Sequence, residues 1–193
     1  MSYEAAERRD KHTVNGVDLD RLFDTIDAIK VEPGIAKFKF RISNKWIEGG
    51  HNQTTIKGFY GALTDHPHEE PFELDADEPE VLLGQDKGPN PVEYLLTALA
   101  GCLTSSLVYH AAAKGIEVRG VASRLEGDLD LRGFLGLSKD VPVGYEEIRV
   151  YFTIDDDISE QEKLELIQSA QKYSPVFNTV TGPTRVTVQL GDE

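Results

Sequence analysis

Apolar and polar positions alternate with two different periods along this chain. From Ala36 to Ile42 the residues Ala36, Phe38, Phe40 and Ile42 interleave with Lys37, Lys39 and Arg41, the period-two signature of a half-buried strand. "EGGHNQ" supplies turn residues and "TTIKGFYGAL" returns as a second strand, which predicts a hairpin. Before it, Leu19, Leu22, Phe23, Ile26 and Ile29 recur at helical spacing, with Asn15 and Asp18 as candidate caps and Pro33-Gly34 as the stop. After the hairpin, "DHPHEEP" predicts a loop and "FELDADEPEVLLG" one or two short strands. Val121, Leu125, Leu129 and Leu131 alternate with polar residues, as do Ile148, Val150, Phe152 and Ile154, with the Gly-rich "RGFLGLSKDVPVG" joining these two strands. "SEQEKLELIQSAQKY" opens with Ser159 and Glu162, a capping-box pattern, and "TRVTVQL" predicts a closing strand. The strands arrive in antiparallel blocks and not as βαβ repeats, which predicts an α+β fold. Residues 1–34 are expected to form an N-terminal helical extension with a loose, charged start, and residues 35–193 the main domain.

The longest apolar segment lies between Pro91 and Gly115 and holds the only cysteine, Cys102. Pro91 suits the first turn of a helix and Gly115 the position after its last. Leu95, Leu99 and Cys102 line one face; Leu96, Ala100, Leu103 and Leu107 line another. A helix apolar on most sides is a buried one, and one sheet cannot cover it all, so a second helix or second subunit is expected against it. Gly101 would let another backbone approach beside the thiol.

A buried lone cysteine is in most proteins a small hydrophobe. Activation would need a nearby cation or a helix N-terminus, and Cys102 lies about three turns into its own helix. His110, eight residues on, is displaced by roughly 12 Å along the axis, too far for a Cys–His pair. Arg41, Arg119 and His51 remain as candidate cations, unranked.

Composition removes several classes. The formal net charge is −14 over 193 residues, where nucleic-acid binding needs a basic footprint. Tyr94–Ala113 is interrupted by Thr97, Gly101, Thr104, Ser105, Ser106 and His110, so no bilayer span is expected. "MSYEAAERRDKH" has no apolar core of a secretory signal. One cysteine forms no internal disulfide, and a reducing cytoplasm is the expected compartment. "HPHEE" at His66–Glu70 offers two imidazoles without a third ligand in register, so a solvated acidic loop is expected, with no metal and no cofactor. Asp155–Asp157 is expected to end a strand and to place negative charge at the next helix N-terminus. Gly133 and Gly136 lack the strand-to-helix context of a dinucleotide site, and no G-x-S-x-G elbow is present.

"GPNPVEYLLTALAGCLTSS", followed about seventy residues later by "AQKYSPVFNTV", resembles the OsmC/Ohr family of osmotically inducible and organic hydroperoxide resistance proteins over roughly Ile35 to Leu190. The first motif is specific and the second weaker. The resemblance implies a two-layer α+β fold with an antiparallel sheet and a buried central helix, built as an intertwined homodimer. It also implies a thiol peroxidase in which Cys102 attacks the peroxide, a second cysteine resolves the sulfenic acid, an arginine and a glutamate hold the thiolate, and lipoyl groups or dithiols return the electrons.

Two departures bear on that activity. Ser174 occupies the position of the second cysteine. The family's glutamate, ten residues before the thiol, falls on Val92, with Glu93 nine before it as in the P-x-E-L-L branch. Nine steps of about 100° put Glu93 opposite Cys102 on a regular helix. Arg41 precedes the first hairpin turn and His51 sits in it; neither is a unique match for the arginine. The expected site is therefore Cys102, Glu93, Ser174, Arg41 and His51. The expected function is a single-cysteine peroxidase of organic hydroperoxides resolved by an external thiol. The alternative is a non-catalytic dimer binding a small apolar ligand in its interface pocket.

Overall fold

A computed structural model describes residues 12–191, so the charged first residues of the chain lie outside what is described. The elements in order are β1 (Thr13–Val14), β2 (Val17–Asp18), α1 (Leu19–Val31), β3 (Lys39–Phe40), β4 (Ser43–Glu48), β5 (His51–Gly61), β6 (Thr64–Ala76), α2 (Pro91–Ala113), β7 (Gly120–Asp128), α3 (Leu131–Phe134), β8 (Glu147–Asp155), α4 (Glu160–Tyr173) and α5 (Pro175–Thr181). The fold is α+β with antiparallel sheets. The chain divides into two compact units, Asp18–Leu95 and a second one made of the residues up to Val17 with those from Leu96 on.

In the Asp18–Leu95 unit, Asp18 caps α1 by accepting from the Arg21 N–H at 3.0 Å, which satisfies one of the orphan amides of the first turn. The sheet is centred on β5, with β3 and β4 antiparallel along it and β6 beside it. The expected strand over Ala36–Ile42 is only partly formed. Two residues pair, and Phe38, Phe40 and Ile42 are exposed, so the alternation marks a face that this unit leaves uncovered. "DHPHEEP" is not a loop but part of β6. Its prolines are tolerated because β6 pairs only with β5, and the segment between Pro67 and Phe72 bulges out opposite Lys57. The stretch read as one or two further strands completes β6 at Ala76.

Asp77 then fixes the connection to α2. Its side chain is 1% exposed, and its carboxylate accepts from the backbone N–H groups of Glu78 (2.8 Å), Gln85 (3.0 Å) and Lys87 (3.2 Å). Desolvation pushes its pKa up, but these amides, with the His51 ring nearby, outweigh that and hold it below the usual carboxylate range. A depressed folded-state pKa gives stability that is present above the unfolded value and lost as pH falls through it. Asp77→Asn is therefore expected to lower the melting temperature by roughly 5 °C at pH 7. The gap to the wild type should close on titration into acid. Melting curves with a constant gap across that range would contradict the assignment.

In the other unit, Leu99, Leu103, Leu107 and Ala111 form one buried stripe of α2 against Leu166 and Ala170 of α4 and Ile154 of β8, flanked by Val121, Leu125, Val150 and Phe152. By length and composition α2 is in fact apolar enough to cross a bilayer, its polar interruptions notwithstanding. The buried stripe makes it the core helix of this unit. It ends in a Schellman motif, with Gly115 at φ +70° and N–H bonds from Gly115 to Ala112 and from Ile116 to Ala111. β7 and β8 pair without a break, and the Ser159–Glu162 capping box of α4 forms in both directions.

Three expectations fail here for reasons of context. Leu129 and Leu131 are not strand residues: Asp130 caps the short α3 through the Arg132 N–H. Asn15 is not a cap: with Gly16 it forms the turn of the β1–β2 hairpin, both residues at positive φ. "TRVTVQL" pairs with nothing among the described residues, and Val186, Val188 and Leu190 stand exposed. Alternation prescribes a strand only where a neighbour offers hydrogen bonds.

Candidate functional site

The middle of α2 and the corner between α4 and α5 bring two of the expected residues together. Cys102 is half-buried, and the Ser174 Oγ–H donates to its Sγ across 3.0 Å. Ser174 is fully buried.

The local sequence builds the corner. Pro175 cannot continue α4 and disfavours a helical residue before it, so Ser174 turns to φ −74°, ψ 117°. The same residue caps α5, its Oγ accepting from the Phe177 N–H at 3.1 Å, with Pro175 at the first helical position, where its missing N–H costs nothing. Asn178 closes the corner by donating to the carbonyls of Ser174 (2.8 Å), Gln171 (3.1 Å) and Lys172 (3.3 Å). Phe177 and Asn178 were not singled out from the sequence. The available signal was Ser-Pro, a cap followed by proline, directly after an amphipathic helix. His110 stacks on Tyr173 with ring centres 4.7 Å apart. Burial first, and the Lys114 charge second, hold its imidazole below the usual range, so it serves as a neutral ring beside the corner.

Beside the thiol, Gly101 is exposed, and a Cβ placed on it would meet nothing within 4 Å. Chemically the pair offers a nucleophilic sulfur next to a hydroxyl that cannot form a disulfide with it.

The remaining expected residues belong to the Asp18–Leu95 unit, and each has a partner there. Arg41 pairs with Asp65 at a groove of about 560 Å³ that Lys57, Phe59 and His66 also line. His51 Nε2 lies 2.9 Å from Asp75 Oδ1. Glu93 Oε2 accepts from the Asn90 N–H at 2.8 Å, while Asn90 Oδ1 accepts from the Val92 N–H at 3.0 Å; the two cap the start of α2 reciprocally. Arg119, in the other unit, binds Asp157 and Asp155, and these hydrogen bonds hold its pKa well above the usual range. His66 stacks on Phe59 and His68 meets Phe72 edge to face, and no group of three or more metal-ligating side chains comes together among the described residues.

A family model described as OsmC-like protein matches residues 84–189, from the approach to α2 through the chain beyond α5. The chain belongs to the OsmC-like family. No curated protein matches it. Solved OsmC-like structures share the fold. An OsmC-like protein from Mycoplasma pneumoniae is 23% identical, with 75% of this chain and 88% of that one covered at a TM-score of 0.58. An organic hydroperoxide resistance protein OsmC from Legionella pneumophila is 17% identical, with 74% and 90% covered at 0.53. An organic hydroperoxide resistance protein from Elizabethkingia anophelis is 16% identical, with 75% and 90% covered at 0.53. Within this OsmC-like chain, the matched region includes both Cys102 and Ser174.

Proposed function

We propose that this OsmC-like chain is a thiol peroxidase of organic hydroperoxides that works through Cys102 alone, as a homodimer in the cytoplasm, without metal or cofactor. The observation that carries the reading is the Cys102–Ser174 contact of 3.0 Å, in a family that includes hydroperoxide resistance proteins. The Cys102 thiolate attacks the terminal peroxide oxygen, the O–O bond breaks, and the alkoxide takes up a proton to leave as the alcohol. Sulfur is oxidised to the sulfenic acid. With a single cysteine in the chain, an external thiol condenses with it, releasing water and leaving a mixed disulfide. A second thiol then restores Cys102 and departs as the disulfide. Arg41 and His51 belong to this proposal as donors that hold the thiolate, and Glu93 as the carboxylate that orients such a donor, once a partner subunit completes the site.

One equivalent of cumene hydroperoxide is expected to make Cys102 reactive toward a sulfenic-acid probe, and light scattering of the same sample to give twice the chain mass. A Cys102 that is neither labelled nor alkylated faster than a buried thiol would overturn the peroxidase. A folded monomer at micromolar concentration would overturn the dimer. Ser174 itself favours a second reading, in which the dimer keeps its pocket for a small apolar ligand and has no turnover. Absence of labelling together with saturable binding of an apolar dye would select it.

A further inference from the structure

We infer that Ser174 is a positioning residue for the nucleophile, its buried hydroxyl donating to Cys102 Sγ and fixing the sulfur in one orientation, a role that rests on the peroxidase reading above. A buried hydroxyl has one proton to place and must place it on an acceptor. For Ser174 that acceptor is Cys102 Sγ at 3.0 Å. The hydroxyl has no freedom to turn elsewhere, because its oxygen already accepts from the Phe177 N–H at 3.1 Å.

The backbone that carries the hydroxyl is held on both sides. Its N–H donates to Ala170 O at 2.9 Å, and its carbonyl accepts from the Asn178 N–H and the Asn178 side chain at 3.1 and 2.8 Å. The donor therefore meets the sulfur already oriented, and no rearrangement is needed as charge concentrates there, which is the economy of a preorganised dipole. A serine here does more than leave a resolving thiol out. It converts the position from a reaction partner of the sulfur into a fixed hydrogen-bond donor to it.

The test reads Cys102 without turnover. Ser174→Ala and Ser174→Gly remove the donor, and glycine keeps most of the capping preference for α5, so at least one variant separates the hydroxyl from the cap. Both are expected to slow alkylation of Cys102 by iodoacetamide at neutral pH by about tenfold. Ser174→Thr, which retains the hydroxyl, restores the rate. Circular dichroism reports whether each variant is folded. Folded Ala or Gly variants that alkylate at the wild-type rate, or a folded Thr variant that does not restore it, overturn the inference. A wild type that fails to give a sulfenic acid while its alkylation still depends on Ser174 overturns the peroxidase and leaves the positioning role standing.

Discussion

Treated with one equivalent of hydroperoxide, Ser174→Cys is expected to close a disulfide to Cys102 and to leave no alkylatable thiol. The serine oxygen lies 3.0 Å from the sulfur, and a disulfide brings its two atoms to about 2.05 Å. Small rotations of the two side chains cover the difference without moving either helix. The stoichiometry is one hydroperoxide and two thiols giving one alcohol, one water and one disulfide. Because the bond spans most of the second unit, loop-closure entropy predicts a gain of roughly 4 kcal/mol. Loss of the Ser174 cap on α5 offsets about 1 kcal/mol of it. A dithiol should then drive repeated turnover. Mass spectrometry of the alkylated product decides the geometry: an oxidised Cys102 together with one added alkyl group on residue 174 would mean that residue 174 does not face Cys102 in solution.

Leu103→Asp is expected to abolish the folded state. Leu103 is 2% exposed and sits in the stripe with Leu99 and Leu107 against Leu166 and Ala170. The side chains of that cluster are hydrophobic, so a carboxylate there is buried among groups that cannot pair with it. Removing the leucine from such a site costs about 3 kcal/mol on its own, and an unpaired charge adds several more, against a total stability of about 5–15 kcal/mol. Loss of the cooperative melting transition by circular dichroism is the expected result. A variant that melts within a few degrees of the wild type would show that this stripe is not the core.

Sequence pattern carries one period at a time, and the two regions where it served best are those where local chemistry suffices. The α2 boundaries follow from Pro91 and Gly115, and the α4 start from Ser159 and Glu162, because caps are satisfied within a few residues. Where the outcome depends on a distant neighbour, the pattern stops short. Val186, Val188 and Leu190 alternate as a strand would, yet no strand among the described residues pairs with them. Asp65–Pro71 reads as a loop by composition, yet lies within β6 because β5 pairs with Asp65–Pro67 on one side of the bulge and with Phe72 on the other. At the site, the resemblance supplies the position of Ser174, but no spacing reveals that Phe177 and Asn178 lock it. Arg41, His51 and Glu93 illustrate the converse: residue type marks the first two as able to donate to a thiolate and the third as able to orient such a donor, while Asp65, Asp75 and Asn90 are the partners they have in their own unit.

The β1–β2 turn has a bearing on the order of assembly. The Asn15 side chain donates to Ile116 O at 2.8 Å and accepts from the Val118 N–H at 2.9 Å, linking positions more than a hundred residues apart. Such contacts close long loops and belong to the slow end of folding. During synthesis the hairpin emerges before its anchor, which leaves the ribosome only after α2 has been made. Until then Asn15 lacks both of these partners, so a turn translated before α2 is fixed in place only after it.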